Sequence, residues 1–98
     1  MRVDINKIAE RDMLDIIFFI SMDNCAAVAQ KQLDKLMRDI RALEHAPDIG
    51  SWVRLRTNRA TNNRYLVSGN YVVIYKIEPE YVEIIRVFDG RTDWQKEL

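Results

Sequence analysis

The chain has 98 residues, 48% hydrophobic and 31% charged, and its fifteen basic and fifteen acidic side chains cancel to a formal net charge of zero. This composition is typical of one globular domain, which we assign to residues 1–98, and it excludes disorder and a strong overall attraction to nucleic acid or anionic lipid. The single cysteine, Cys25, excludes an internal disulfide, and the longest apolar run, Ile16 to Ile20, is too short to span a bilayer. We therefore expect a cytoplasmic protein that does not contact the membrane.

The first half of the chain predicts a short strand and two helices. Met1 to Ile5 alternates apolar and charged residues, which is typical of an edge strand, and Asn6 can cap the helix that follows. From Lys7 to Met22 the apolar residues cover more than one helical face, so another element or another chain must cover the excess. A second helix, from residue 23 or 24 to Ala46, has apolar residues at alternating spacings of three and four, which predicts an antiparallel helix pair. These seam residues are Ala26, Ala29, Leu33, Leu36, Ile40 and Leu43.

After Gly50 the apolar period changes to two, and the pattern predicts four antiparallel strands. Their bounds are Trp52 to Thr57, Arg64 to Ser68, Tyr71 to Ile77 and Tyr81 to Phe88, with a polar loop at Asn58 to Asn63 and a tight turn at Gly69-Asn70. The last strand is apolar on both faces and is therefore central, with Val82, Ile84, Arg86 and Phe88 on one face. The predicted fold class is α+β: an N-terminal helical hairpin packed on a four-stranded antiparallel meander, to which residues 1–5 can add a short edge strand.

Every charged residue between Ser51 and Arg64 is an arginine. These are Arg54, Arg56, Arg59 and Arg64. Such a basic run can bind phosphate or a carboxylate-rich partner. A solvated edge strand that is protected by its charge explains the same pattern, and both alternatives stay open.

Catalytic patterns are scarce. No Ser-His-Asp pattern, metal-ligand spacing or phosphate-binding glycine loop is present, so we predict no catalytic residue, metal or cofactor. The remaining catalytic hypothesis is ribonucleolytic, with Arg64, Tyr75, Arg86 and Arg91 acting on a phosphodiester. Because arginine is not a base near pH 7, that set lacks a general base, and a binding protein is the stronger hypothesis.

The last predicted strand leads into a crowded turn. Two arginines, two aspartates and a tryptophan fall within the nine positions from Arg86 to Trp94, and strand ends are rigid mounts for functional side chains. Two alternatives are open for Trp94. Its indole either packs back on the sheet, with Asp93 paired to an arginine, or meets a binding partner. We predict mixed use, in which Asp93 is structural while Arg91 and Trp94 reach the partner.

Several stretches resemble the RelE/ParE superfamily of type II toxins. Arg86 to Asp93 reads R-V-F-D-G-R-T-D, which is similar to the signature R-V-x-H-G-R-x-D of the ParE branch. Ala9 to Ile20 resembles the first-helix pattern A-x-x-D-L-x-x-I-x-x-Y-I, with Met13 for leucine and Phe19 for tyrosine. The second helix is matched at Ala27, Leu33, Ile40, Leu43, Pro47 and Gly50, and the strands are matched at R-Y-L-V and N-Y-V-V-I-Y-K-I. Two features depart from the family: Asp89 replaces the usual histidine, and the chain is neutral where these toxins are often basic.

The resemblance implies the toxin of a type II toxin–antitoxin system that inhibits DNA gyrase by binding and is neutralised by a cognate antitoxin, in a hetero-oligomer and without specific nucleic-acid binding of its own. The expected target-binding residues are Arg64, Arg86, Arg91, Asp93 and Trp94. The expected antitoxin-binding residues are Leu14, Ile17, Phe18, Arg54 and Arg56, since a partner peptide laid along the first helix would bury its excess apolar surface.

Two alternatives remain beside this implication. The first is a RelE-like, ribosome-dependent mRNA endoribonuclease, although RelE-like members use a terminal tyrosine or histidine and this chain has neither after Tyr81. The second is a family member that keeps antitoxin binding but has little toxicity, a hypothesis motivated by Asp89.

Overall fold

The fold consists of two helices on one face of a five-stranded mixed sheet. The computed structural model describes residues 1–57 and 60–98. The elements are β1 (Arg2–Ile5), α1 (Lys7–Asp23), α2 (Ala26–Arg41), β2 (Ser51–Trp52), β3 (Arg64–Ser68), β4 (Tyr71–Ile77) and β5 (Tyr81–Asp89). The strand order is β1-β5-β4-β3-β2, with β1 parallel to β5 and the other neighbours antiparallel. The α+β class and the central place of β5 are confirmed. The short N-terminal edge strand is also confirmed, and because it pairs with β5 in parallel, the predicted four-stranded antiparallel sheet is corrected to a five-stranded mixed sheet.

The helical hairpin forms as its capping and seam residues predict. The Asn6 side chain accepts a hydrogen bond from the Ala9 N–H at 2.8 Å and caps α1. Along the predicted seam of α2, Leu36 and Ile40 are buried in the cluster on the helix side of the sheet and Ala29 is also buried, whereas Leu33 is half-buried and Ala26 is exposed. The predicted helix bounds need correction. The Asn24 N–H bonds the Ile20 carbonyl, so α1 continues to Asp23 and α2 begins only at Ala26; α2 then ends at Arg41, before a 3₁₀ turn at Ala42–Glu44.

The predicted strand Trp52 to Thr57 is wrong for most of its length. β2 ends at Trp52, and Val53–Leu55 forms a 3₁₀ turn that the Arg56 N–H closes on the Val53 carbonyl at 2.8 Å. Alternation would place Val53 and Leu55 on one face. Instead the turn buries Val53 and leaves Leu55 73% exposed. Part of the predicted loop, residues 58 and 59, lies outside the described residues.

A β-bulge in β5 changes which side chains share a face. Ile74 pairs with Arg86 and Tyr75 pairs with Ile84, so Ile85 has no partner in the β4 register. The extra residue shifts the alternation. Val82, Ile84 and Val87 therefore pack under the helices, whereas Phe88 packs on the opposite face. The prediction that Val82, Ile84 and Phe88 share a face is wrong for this reason.

The two faces of the sheet each have a hydrophobic cluster. The helix side includes Met13, Leu36, Ile40, Tyr75 and Ile84. The opposite face has a smaller cluster formed by Val53, Val72, Ile74, Phe88 and Trp94, with Tyr65, Ile85 and Leu98 partly buried around it. The short C-terminal 3₁₀ segment, Trp94–Glu97, is therefore anchored to the core of this second face through Trp94.

Asp39 links α2 to the sheet, and its ionisation makes stability depend on pH. The buried Ser68 hydroxyl donates to its carboxylate at 2.6 Å, and the Lys35 ammonium lies at 3.0 Å. The Ser68 hydrogen bond is the main cause that lowers the pKa of Asp39, with Lys35 adding to it. A carboxylate whose pKa is depressed on folding stabilises the fold fully above its unfolded pKa of about 3.9. That contribution is lost as the pH falls through the lower folded pKa.

We expect the Asp39→Asn variant to melt below the parent at pH 6, and the gap in melting temperature to shrink as the pH falls below about 4. Thermal melts of both proteins from pH 6 to pH 2.5 measure this gap. A gap that stays constant over the range would contradict the assigned ionisation.

Candidate functional site

Arg86 and Asp12 form an ion pair where β1 stops short along β5. β1 pairs only with Tyr81–Ile84, and no other described strand continues beside β5 on that side. Asp12, from α1, occupies this place. Its carboxylate accepts the Val87 N–H at 3.0 Å and two hydrogen bonds from the Arg86 guanidinium, at 2.8 and 3.2 Å. The hydrogen bond to Asp12 is the main cause that raises the pKa of Arg86. Arg86 therefore ties α1 to β5 and has its charge compensated.

Arg91 is paired within the turn that follows β5. Its guanidinium donates to both carboxylate oxygens of Asp89, at 3.0 and 2.8 Å, and its backbone N–H donates to one of them at 2.9 Å. The Thr92 N–H and hydroxyl both donate to the Asp89 carbonyl, which closes the turn. The Arg91 hydrogen bond is the main cause that lowers the pKa of Asp89. Arg91 stays exposed at the surface, but Asp89 balances its charge.

Trp94 belongs to the interior. Its ring is only 5% exposed, and its centroid lies 5.5 Å from that of Tyr65 and 6.5 Å from that of Phe88. The prediction that Trp94 reaches a partner is therefore corrected: the indole packs back on the sheet, as the alternative had it. Asp93 is exposed and pairs with Lys96 at 3.2 Å rather than with an arginine.

A groove of about 700 Å³ runs between the helical hairpin and the turn after β5. Its helix side includes Ile16, Phe19 and Ile20, and its other side includes Arg86 and Arg91. Sequence reasoning placed the two arginines at a functional edge but did not foresee that α1 forms the opposite wall. The signal was available in Asp12, which matches the aspartate of the first-helix pattern and makes the contact that joins both walls.

The residues of the ribonucleolytic hypothesis do not form an available set. Tyr75 is fully buried, and its hydroxyl donates to the Pro47 carbonyl at 2.7 Å while accepting the Gly50 N–H at 2.9 Å. Arg64 donates to the carbonyls of Asp48 and Gly50. Tyr75 and Arg64 therefore stabilise the 47–50 loop through these hydrogen bonds. Arg86 and Arg91 are paired with aspartates.

The edge of the sheet at β2 and β3 is basic. We define the basic edge as Trp52, Arg54, Arg56 and Arg64. The guanidinium carbons of Arg54 and Arg64 lie 4.5 and 3.8 Å from the Trp52 ring centroid, and Arg56 donates to the Tyr65 hydroxyl at 3.0 Å. This hydrogen bond is the main cause that lowers the pKa of Tyr65. No carboxylate pairs with Arg54, Arg56 or Arg64 in the described part of the chain.

The outer face of α1 exposes a stripe of large apolar side chains. We define the α1 stripe as Leu14, Phe18 and Met22, which are 57, 61 and 68% exposed and follow one another at intervals of four residues. Ile17 is half-buried beside it. The stripe is the excess apolar surface that the sequence indicated. No other described element covers the stripe.

The predicted antitoxin-binding residues divide into two separate surfaces. α1 packs against β5 on the β1 side of the sheet, whereas Arg54 and Arg56 follow β2 at the opposite edge. α2 contacts β3 and lies between them. One compact partner segment cannot contact both the α1 stripe and the basic edge, so a partner that uses both must extend across the molecule.

Known proteins share this architecture. A family model described as the ParE toxin of type II toxin-antitoxin system, parDE, matches residues 3–94. The chain belongs to the ParE toxin family. A chain in the solved structure of the chromosomal ParDE TA system from P. aeruginosa superposes with a TM-score of 0.78, covering 91% of this chain and 95% of that chain at 13% identity. At this identity the likeness shows the fold. No curated protein matches the chain significantly in sequence.

Membership of the ParE toxin family confirms the resemblance seen in the sequence, and it gives Asp89 a specific meaning. Instead of the histidine that the resemblance led us to expect, this ParE-family chain has a carboxylate at position 89 that takes two hydrogen bonds from the Arg91 guanidinium. A neutral imidazole offers one acceptor nitrogen and no charge. The substitution therefore compensates an arginine charge at the end of β5.

Residues 1–57 and 60–98 contain neither a metal-binding cluster nor a membrane-spanning helix. No three His, Cys, Asp or Glu side chains there are arranged to hold a metal ion. None of the helices in this part of the chain combines the length and apolar character needed to cross a membrane.

Proposed function

We propose that this ParE-family chain is a toxin that inhibits DNA gyrase in the cytoplasm by binding, and that a cognate antitoxin neutralises it. The observation that carries the proposal is the family match over residues 3–94. The arrangement of the site supports binding over catalysis, because Tyr75 is buried in a backbone clamp and Arg86 and Arg91 are paired with carboxylates. The groove between α1 and the turn after β5 is the surface we assign to the target, with Arg86 and Arg91 in its wall and without Trp94.

Induction of the protein in cells that lack the antitoxin tests the proposal. We expect growth arrest with broken chromosomal DNA and intact messenger RNA. Cleaved transcripts with intact DNA would support the RelE-like alternative. Normal growth despite accumulation of folded protein would support the weakly toxic family member that Asp89 suggests.

The antitoxin is proposed to cover the α1 stripe. The stripe exposes three large apolar side chains at a spacing that fits the apolar face of a partner helix or hydrophobic segment. A surface of this kind is costly to leave in water and marks an interaction site. The ParDE system of the structural relative also makes an antitoxin the natural partner.

The Phe18→Glu variant should bind the antitoxin at least about tenfold more weakly, because buried aromatic anchors contribute roughly 2 kcal/mol or more to an interface. Its melting temperature should stay close to that of the parent, since Phe18 is 61% exposed. Ile8→Glu is the matched control, because Ile8 is 59% exposed on the same helix but lies outside the stripe. Titration of each variant with antitoxin measures the effect, and equal affinities for Phe18→Glu and the parent would remove the α1 stripe from the interface.

A further inference from the structure

The groove between the helical hairpin and the turn after β5 is acidic, although the whole chain is neutral. Five carboxylates and two guanidinium groups are found among the described residues that line it. The carboxylates are those of Asp12, Asp15, Asp23, Asp89 and Glu97. The excess of three negative charges is a local property of this surface. It attracts cationic groups and repels phosphates.

The two arginines of the groove already have their charges compensated. The hydrogen bond to Asp12 does most to raise the pKa of Arg86, and the Glu97 carboxylate adds to this effect. Asp89 accepts two hydrogen bonds from the Arg91 guanidinium. An anionic partner would have to displace these carboxylates before it could pair with either arginine. The groove is therefore poorly suited to a partner's carboxylates or phosphates.

Other carboxylates of the groove remain available to a partner. Neither Asp23 nor Glu97 lies within ion-pair distance of a described lysine or arginine. Asp23 is also the last residue of α1, where a negative charge opposes the helix dipole and does not favour the helix. Asp15 is paired only with the exposed Arg11, at 3.5 Å. We define the free carboxylates as Asp15, Asp23 and Glu97, all of which are exposed.

Apolar side chains share this groove with the free carboxylates. Phe19 is 65% exposed on α1, and Val28 is 39% exposed in the first turn of α2. Ile16 and Ile20 are half-buried members of the same lining. An occupant that is complementary to both features brings apolar and cationic groups together, as a basic amphipathic segment does.

We infer that the groove takes a basic, amphipathic segment of gyrase, which packs its apolar face on α1 and pairs its lysines or arginines with the free carboxylates. The inference rests on the proposed function for the identity of the target, and it names the chemistry of the docking segment. Arg86 and Arg91 then hold the walls of the groove in place rather than meet the target. The DNA bound by gyrase stays outside the groove, because its phosphates are repelled there.

A second copy of the chain is the competing occupant of the groove. Its basic edge carries arginines that have no carboxylate partner among the described residues. A contact between the groove of one copy and the basic edge of the next joins two different surfaces. Such a heterologous contact does not close into a symmetric dimer, which makes it the weaker alternative.

Peptide binding to the purified full chain tests the charge preference without reference to gyrase. The probe is a fluorescent tetradecapeptide of leucine and lysine at helical spacing, compared with the same peptide carrying glutamate for lysine. We expect only the lysine peptide to bind, with an affinity that falls as salt is raised. Asp23→Asn/Glu97→Gln should bind it about fivefold more weakly, because two exposed charge pairs are lost. Glu10→Gln/Glu80→Gln is the matched control, since it removes the same charge from exposed positions outside the groove, and it should bind like the parent.

Both double variants should melt close to the parent, because all four changed side chains are exposed. Equal binding of the lysine peptide to the parent and to Asp23→Asn/Glu97→Gln would overturn the inference, as would equal or tighter binding of the glutamate peptide. Concentration-dependent association of the parent that disappears in Asp23→Asn/Glu97→Gln would overturn it in favour of a second copy of the chain.

Binding of purified gyrase to the immobilised chain then tests the source of the segment. We expect Asp23→Asn/Glu97→Gln to associate with gyrase more slowly than the parent and the control do, since complementary charge acts mainly on the association rate. Equal or faster association of this variant would overturn the inference and leave gyrase as the target. If the parent does not bind gyrase while the peptide results are as expected, the proposed function is contradicted and the preference of the groove for cationic segments stands.

Discussion

Replacing Trp94 by alanine is expected to lower the free energy of unfolding by about 3–5 kcal/mol, the range for truncating a large buried aromatic side chain. The ring is 5% exposed and joins Tyr65 and Phe88 in the cluster on the face of the sheet away from the helices. Helices α1 and α2 pack on the other face, so the C-terminal segment supplies much of the cover here, together with Val53. Loss of the indole leaves a cavity and exposes the neighbouring rings to water.

Denaturant unfolding of Trp94→Ala and of the parent measures this effect. Lys96→Ala is the control, because it changes the same segment at a side chain that is 79% exposed. The control should unfold at nearly the parental denaturant concentration. Parental stability for Trp94→Ala would mean that the tail does not pack on the sheet, and it would return Trp94 to the set of partner-binding candidates.

Replacing Asp12 by alanine is expected to cost about 2–3 kcal/mol. The substitution leaves the Val87 N–H without its acceptor and leaves the partly buried Arg86 guanidinium without its counter-charge. Removing one partner of such a pair costs more than the pair contributes, because the other charge stays desolvated. The loss should also loosen α1 from β5 and so open the groove.

Asp15→Ala provides a matched control for Asp12→Ala. Asp15 lies one turn further along α1 and is paired with Arg11 at 3.5 Å, but both members of that pair are more than half exposed. Surface pairs of this kind contribute little to stability. If the two variants unfold at the same denaturant concentration, the contact between Asp12 and β5 is not the link we describe.

The helical hairpin and the central strand could be predicted because each rests on a local pattern. The seam through Leu36 and Ile40 predicts that one face of α2 packs against another element. A strand that is apolar on both faces is predicted to lie in the centre of the sheet. The short β2 and the bulge at Ile85 depend instead on tertiary packing. Burial of Val53 turns the chain after Trp52, and one unpaired residue reverses the faces of β5, although neither event changes the hydrophobic pattern.

The candidate site was only partly predictable for a related reason. The C-terminal turn and the basic run stand out in sequence by charge alone. Whether an arginine is free depends on neighbours that are distant in the chain, as with Asp12 and Arg86, which are 74 residues apart. The aromatic composition of the turn suggested a contact role for Trp94. Trp94 is buried because it covers the face of the sheet on which α1 and α2 do not pack. No local sequence pattern predicts that this face needs such a cover.

DNA supercoiling by purified gyrase, in the presence of the purified full chain, is the most direct test of the central claim that this ParE-family protein acts by binding gyrase. Relaxed plasmid, gyrase and ATP are incubated with increasing toxin, and supercoiled and linear products are separated on a gel. We predict loss of supercoiling and accumulation of linear, gyrase-linked DNA. Undiminished supercoiling at a large molar excess of folded toxin, together with cleavage of messenger RNA when the same preparation is added to ribosomes, would contradict the account.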